Sequence, residues 1–237
     1  MAIKSIISKR LVLPLMGAAL LSGCDNDNDA PPPVVIVPPT PMIFEVDVSN
    51  ITHNQPFSPV ALVLHESGGM WTLNQPASDA LELMAESGDN SGLLSESYVD
   101  SSTSGAGIIA PGNAETLTIQ TTMDGNILLS LGTMLVNTND AFTGFSAMDV
   151  TNLAVGESVM YRAAAYDAGT EANSEAMGTI PGPADGGEGF NAVRDDLDRV
   201  YRHSGVVTAD DGLTDSVLNQ SHRFDNPVVA IEIRRMQ

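Results

Sequence analysis

The order of apolar and polar positions along the chain predicts short β-strands. Apolar and polar residues alternate over residues 43–49, 115–121 and 227–234, the period of a strand with one buried face. Residues 60–64 are instead continuously apolar, as in a strand that is buried on both faces. Many short strands separated by turn residues favour an all-β sandwich over an α/β fold.

One segment has the period of a helix. Leu81 and Met84 fall on one helix face, Ser78 precedes them as an N-cap, and Gly88 follows as a stop signal. The remainder of 88–112 is rich in serine, glycine and aspartate. We therefore expect a short helix near residue 80, followed by long loops with one further helical turn.

Two pairs of strand-like runs are separated by turn signals. Asp124-Gly125 lies between runs at 115–121 and 126–136, a pattern that predicts a β-hairpin. The second run leads to Asn139-Asp140. The next pair, at 145–150 and 159–166, is expected to carry the chain out and back to the same end of the sheet.

The first 23 residues (1–23) have the pattern of a bacterial lipoprotein signal peptide. A basic start is followed by about ten apolar residues, Leu11 to Leu20, too few to span a bilayer, which needs about 20. Small residues then lead to Cys24, the only cysteine, so no intrachain disulfide is expected. The alternative is an ordinary secretory signal with an incidental cysteine.

The placement of Cys24 resembles a lipobox, and the resemblance implies cleavage before it and attachment of lipid to it. Stable anchoring takes more than one acyl chain. We therefore expect an envelope protein held in the inner or outer membrane, periplasmic or surface-exposed. Residues 24–41 are acidic and proline-rich, as in an extended tether. The spaced aspartates of the tether lack the glycine and glutamate of a calcium loop.

The composition is strongly acidic. The chain has 30 acidic and 10 basic residues, a formal net charge of −20. Three of the basic residues lie in the signal, and no lysine follows it. General electrostatics therefore exclude nucleic acid and anionic lipid as partners, and they argue against a basic patch for sulfated polysaccharide. The remaining readings are solubility and binding of divalent cations.

Three carboxylates form a candidate metal site. Asp140 precedes the run at 145–150, and Asp167 and Glu171 follow the run at 159–166. If the two runs return the chain to one sheet end, three carboxylates from two loops meet there. Such a set suits Ca²⁺, which takes about 6–8 oxygen ligands and accepts backbone carbonyls and water among them.

Several motifs resemble the spondin N-terminal domain family, in particular its bacterial members. Asp140-Ala141-Phe142-Thr143-Gly144 and Asp167-Ala168-Gly169-Thr170-Glu171 look like the calcium-site pattern of that family. The likeness covers roughly 43–237. Its other parts are Phe44-Glu45-Val46-Asp47-Val48-Ser49-Asn50-Ile51-Thr52, Gln55-Pro56-Phe57-Ser58-Pro59, Pro76-Ala77-Ser78, Ala85-Glu86-Ser87-Gly88-Asp89 and Asn226-Pro227-Val228-Val229-Ala230-Ile231-Glu232-Ile233.

The resemblance implies a C2-like antiparallel β-sandwich over residues 42–237 that holds one calcium ion through Asp140, Asp167 and Glu171. It also implies an extracellular adhesion or recognition module with a protein or polysaccharide ligand. The chain departs from the animal members at two positions. Glu171 replaces an aspartate and lengthens that arm by one methylene, and Ala141 replaces an aromatic residue.

Enzyme signatures are mostly missing, so we expect no catalytic activity. His65-Glu66-Ser67 groups a base, an acid and a nucleophile, but adjacent strand residues point to opposite faces and do not converge as a triad. The alternatives are a calcium-stabilised hydrolase of envelope or environmental polymers and a purely structural envelope protein. The runs at 195–198 and 210–212 are rival calcium candidates. Trp71 is expected to anchor the core, with a surface contact as the alternative.

Overall fold

In the computed structural model, which describes residues 38–237, ten strands form two antiparallel sheets. The predictions for the signal peptide (1–23), Cys24 and the tether as far as residue 37 lie outside the described residues. In chain order the strands are β1 (Met42–Asn50), β2 (Ala61–His65), β3 (Val99–Ser104), β4 (Ala114–Thr121), β5 (Leu128–Met134), β6 (Ala141–Asp149), β7 (Ser158–Ala163), β8 (Ala165–Asp167), β9 (Tyr201–Arg202) and β10 (Val229–Arg235).

The two sheets pack face to face. One has the strand order β4-β1-β10-β7, and the other has the order β3-β2-β5-β6-β8-β9. Alternate residues of β1 and β10 are fully buried against the facing sheet, as the alternating pattern predicts. Each such apolar side chain contributes about 1.5–3 kcal/mol by leaving water. The prediction of an all-β sandwich is confirmed.

Helix α1 (Asp79–Ser87) packs on the outer face of the six-stranded sheet and builds a second apolar cluster there. The Ser78 hydroxyl accepts a hydrogen bond from the Leu81 N–H at 3.2 Å, and Gly88 ends the helix with a φ of 74°. Both caps are as predicted. The predicted helical turn is α2 (Ser91–Leu94), and two short 3₁₀ helices lie at Ala209–Asp211 and Gln220–His222. No helix of residues 38–237 is long and apolar enough to cross a membrane.

Strand β3 lies where the sequence predicts only loops. Its sequence is almost entirely polar, so it lacks the apolar alternation that identifies a strand. It forms because β2 supplies the backbone partners, with Leu62 opposite Thr103 in the register. As the edge strand of its sheet, it pairs with a neighbour on one side only.

The predicted hairpin at Asp124-Gly125 is wrong. The strand before it, β4, pairs with β1, whereas the strand after it, β5, pairs with β2 and β6 in the other sheet. The turn residues allow the chain to reverse, but the local sequence does not determine which strands β4 and β5 pair with. The segment is therefore a connection between the two sheets.

The run at 159–166 is also not one strand. It breaks at Ala164 into β7, which pairs with β10, and β8, which pairs with β6. The Asn226 side chain accepts a hydrogen bond from the Ala165 N–H at 2.7 Å where the chain changes sheet. The chain nevertheless returns to the sheet end where Asp140 lies, because β8 places Asp167 opposite Ala141.

Candidate metal centre

Asp140 and Asp167 lie side by side at one end of the six-stranded sheet. Asp140 immediately precedes β6, and Asp167 is the last residue of β8, opposite Ala141. Both side chains are fully buried. Gly169, with a φ of 72°, then turns the chain back over Asp140. An added Cβ at Gly169 would lie 2.3 Å from a backbone oxygen, so this turn requires glycine.

The Asp140 carboxylate holds this turn in place. Its Oδ2 accepts hydrogen bonds from the Thr170 N–H at 2.9 Å, the Thr170 hydroxyl at 3.2 Å and the Glu171 N–H at 3.1 Å. Its Oδ1 is buried and has no hydrogen-bond partner among the described residues. Oδ2 of Asp140 therefore stabilises the turn, and Oδ1 is available to a ligand.

The Asp167 carboxylate is oriented by a buried chain of hydrogen bonds. Its Oδ1 accepts from the Gly169 N–H at 2.8 Å, and its Oδ2 accepts from the Asn173 amide at 2.6 Å. The Asn173 oxygen in turn lies 2.9 Å from Nε2 of His203, whose Nδ1 accepts from the Gly205 N–H. Burial lowers the pKa of His203 to about 4, so this imidazole is neutral and gives Asp167 no positive charge.

The Glu171 carboxylate is nearly buried and only partly satisfied. Its Oε1 accepts a hydrogen bond from the Asn139 amide at 3.2 Å, whereas its Oε2 has no partner among the described residues. Burial raises the pKa of Glu171 to about 7, and the negative charge of Glu86 adds to this increase. Near neutral pH, a small change in its surroundings therefore decides whether this group is charged.

Glu86 belongs to the same acidic group, although no sequence motif singles it out. This fully buried side chain comes from the last turn of α1. Its Oε2 accepts from the Asn191 N–H at 2.8 Å, and its Oε1 has no partner among the described residues. The only signal in the sequence is its place on the same side of the helix as Glu82.

These four carboxyl groups share an uncompensated electrostatic cost. Burial raises the pKa of Asp140, Asp167, Glu171 and Glu86, and the charge of Asp167 further raises the pKa of Asp140. Within residues 38–237 none of them forms an ion pair with an arginine. Ionised carboxylates in such a place need a cation, because burying an unpaired charge costs several kcal/mol.

The donor chemistry of this end fits a hard cation. Asp140, Glu171 and Glu86 each carry one buried oxygen without a partner in residues 38–237, and oxygen is the ligand type that Ca²⁺ prefers. The spacing is not preset, because no three His, Cys, Asp or Glu side chains of the described residues already stand close enough to hold one metal. Coordination therefore requires these side chains to turn toward the ion.

The two rival acidic runs have other partners. Asp198 forms an ion pair with Arg194 at 2.6 Å, and Asp211 forms one with Arg223 at 2.8 Å. Asp195 accepts a hydrogen bond from the Ala172 N–H at 2.8 Å. Among the described residues, Asp140, Glu171 and Glu86 have buried oxygens without partners, whereas neither run has one, so the Asp140 end is the stronger candidate.

His65 takes part in a contact that the sequence does not reveal. Its Nε2 lies 2.8 Å from the Ser130 hydroxyl, and its Nδ1 lies 2.9 Å from the Ser67 carbonyl oxygen. A serine hydroxyl beside a histidine nitrogen is also the arrangement of a catalytic pair, but here both side chains are fully buried. Ser130 also accepts a hydrogen bond from the Ala147 N–H. The pair therefore satisfies backbone groups at an irregular point of β6.

Trp71 is half-buried and anchored to the outer face of the sheet. Its ring meets Phe142 edge-on, with the centroids 4.9 Å apart, and lies 5.8 Å from Tyr166. The ring therefore anchors as predicted, and part of it also lines a surface cleft.

Comparisons with known proteins do not assign this chain. No family model matches it, and a search of the curated proteins found no significant match. The resemblance to the spondin N-terminal domain stays a prediction. The buried carboxylates themselves are the observation that supports a metal centre.

Proposed function

We propose that this chain is an envelope-anchored lipoprotein whose β-sandwich is a calcium-binding recognition module. The observation that carries the proposal is the buried set of Asp140, Asp167 and Glu171, which has oxygens without partners and no arginine within the described residues to neutralise it. A cation that binds these groups when they are ionised offsets the cost of burying their charge. It binds the folded state alone and therefore stabilises it.

The position of the site indicates what the ion does. Asp140 lies before β6, Asp167 and Glu171 lie in and after β8, and Glu86 comes from the end of α1. An ion at this point ties one helix and two loops to the same end of the sandwich. We infer that it fixes the shape of a loop surface that recognises a protein or polysaccharide, with Cys24 as the lipid anchor in the envelope.

The proposal predicts that calcium stabilises the protein. A chain of residues 25–237 should bind one calcium ion in a calorimetric titration, and its melting temperature should rise with calcium. At a hundredfold excess over Kd the gain is about 2.7 kcal/mol. Asp167→Asn should abolish both responses, because it removes a ligand charge while keeping the shape of the side chain.

Glu66→Gln is the matched control for this titration, since Glu66 is exposed and lies at the opposite end of the sheet, beside β5 residue Leu128. It should bind calcium like the wild type. If the wild-type protein showed no heat of binding and no thermal shift with calcium, the calcium site would be refuted.

A second prediction concerns pH. Glu171 has a folded pKa of about 7 against 4.5 unfolded, so between these values the folded state binds more protons. Stability is therefore lost as pH rises through this window. In EGTA, Glu171→Gln should be more stable than wild type at pH 8, by no more than about 3 kcal/mol, and this advantage should shrink toward pH 5. With calcium at pH 8 the wild type should instead be more stable than Glu171→Gln.

Thermal melts of both proteins at several pH values, with EGTA or calcium, measure this crossover. Burial lowers the pKa of His65, His203 and His222, which weakens the fold below about pH 6.5. These histidines are present in both proteins, so their contribution cancels in the difference. An equal stability difference at pH 5 and pH 8 would show that Glu171 does not titrate in this way.

A further inference from the structure

An aromatic cleft runs along the seam between the two sheets. Three neighbouring cavities of about 340, 370 and 310 Å³ share lining residues and form one continuous groove. We call it the seam cleft. Its walls are Trp71, Phe145, Met148, Val159, Tyr161 and Tyr166.

One side of the seam cleft is the free edge of β7. This strand is last in its sheet, and within residues 38–237 it pairs only with β10. Alternate N–H and C=O groups of β7 therefore point away from β10 with no strand to receive them. Proteins usually protect such an edge with lysine, proline or a bulge. Here Val159 and Met160 are exposed, Met160 by 62%.

The opposite side is the second half of β6. Strand β8 pairs with β6 only from Ala141 to Thr143, so the rest of β6 is open on that side. This part of β6 is irregular, because Ala147 has a φ of 56° and the register with β5 shifts nearby. An irregular edge is a poor template for pairing, so β7 is the edge that suits an added strand.

One end of the cleft is positively charged. Arg162 and Arg202 both line the first cavity, and the Arg202 guanidinium lies 5.1 Å from the centre of the Tyr166 ring. Both side chains are exposed, and neither forms an ion pair or a side-chain hydrogen bond with another described residue. In a chain with 30 acidic and 10 basic residues, two unpaired arginines at the mouth of a cleft favour an anionic partner.

We propose that the free edge of β7 binds an extended peptide segment of a partner protein, added as a fifth strand of its sheet. Alternate apolar side chains of the segment enter the seam cleft, and acidic residues at one end meet Arg162 and Arg202. A second copy of this chain is a poorer occupant, because each copy carries a net charge of −20. The proposal needs no bound cation and stands apart from the calcium site.

The charge requirement is tested with two fluorescent octapeptides of alternating valine and threonine, one ending in two glutamates and the other in two lysines. The acidic peptide should bind with a Kd on the order of 10–100 µM, as expected for a small interface. The basic peptide should bind at least about tenfold more weakly. Arg162→Glu combined with Arg202→Glu should reverse this preference.

Arg199→Glu provides the control for this test, since Arg199 is exposed and does not line the cleft. It makes the same replacement once outside the cleft, which is half of the charge change in the double variant, and it should leave the preference intact. Titrations are run in EGTA and in calcium, and binding is expected in both. A failed calcium titration would therefore leave this proposal standing.

Strand addition is tested by amide hydrogen exchange. The bound peptide should slow exchange at alternate residues of β7, Ser158 to Ala163, and not at the other edge strands. The proposal is overturned by the absence of binding at about 1 mM peptide, by binding that ignores the arginine changes, or by protection at β3 or β4. It is also overturned if sedimentation shows a dimer of the chain and hydrogen exchange shows that this dimer protects β7.

Discussion

Replacing Asp140 by alanine is expected to lower the free energy of unfolding by about 3 kcal/mol or more and to remove the response to calcium. The substitution leaves the buried N–H groups of Thr170 and Glu171 without their acceptor, and each such loss costs about 1–3 kcal/mol. The turn that carries Glu171 would then be held to residue 140 only by the backbone hydrogen bond from the Ala168 N–H. Urea unfolding in EGTA, followed by circular dichroism, measures the loss.

Asp140→Asn separates the two roles of this side chain. Asparagine keeps an oxygen that accepts from the turn but has no negative charge for a cation. Burial raises the pKa of Asp140, so the charged form is already disfavoured, and in EGTA this variant should be about as stable as the wild type. It should not respond to calcium. A calcium response like that of the wild type in Asp140→Asn would exclude Asp140 as a ligand.

Gly144→Ala is expected to destabilise the protein by more than about 4 kcal/mol, enough to unfold a marginal domain. Gly144 has a φ of 143°, and a Cβ there would lie 1.9 Å from the Leu131 carbonyl oxygen. It pairs directly with Gly132 across β5 and β6. The added methyl group therefore meets the backbone of the central strand pair, which cannot move without breaking the sheet.

Gly107→Ala is the matched control, because no atom of the described part of the chain lies within 4 Å of an added Cβ at Gly107. It should change the melting temperature little. Thermal unfolding of both variants, followed by circular dichroism, measures the contrast. If Gly144→Ala melted within a few degrees of wild type, the tight approach of β5 and β6 would be wrong.

Several elements were predictable because their signals are local. The alternation in β1 and β10 predicts one buried face, and the Ser78 and Gly88 caps predict the bounds of α1. Strand β3 was not predictable, because its polar sequence carries no period and its partner β2 supplies the reason to be extended. Long-range pairing decides such a strand.

The candidate site was predictable only in part. Asp140, Asp167 and Glu171 stand out as carboxylates in loops that flank strands, and β8 does bring Asp167 beside Asp140. Glu86 was hidden, because its burial depends on where α1 packs and its hydrogen-bond partner, Asn191, lies 105 positions away. The pairing of His65 with Ser130 was hidden for the same reason, since the two residues lie 65 positions apart.

The sequence by itself determined the class of fold, the caps of α1 and the acidic character of the chain, because periodicity, capping and charge act over a few residues or over the whole composition. The tertiary structure alone decided which sheet each strand joins, which carboxylates are buried together and which strand edge is left open. Those outcomes depend on contacts between segments far apart in the chain, and burial, which raises the pKa of these carboxyl groups, exists only after the segments have packed.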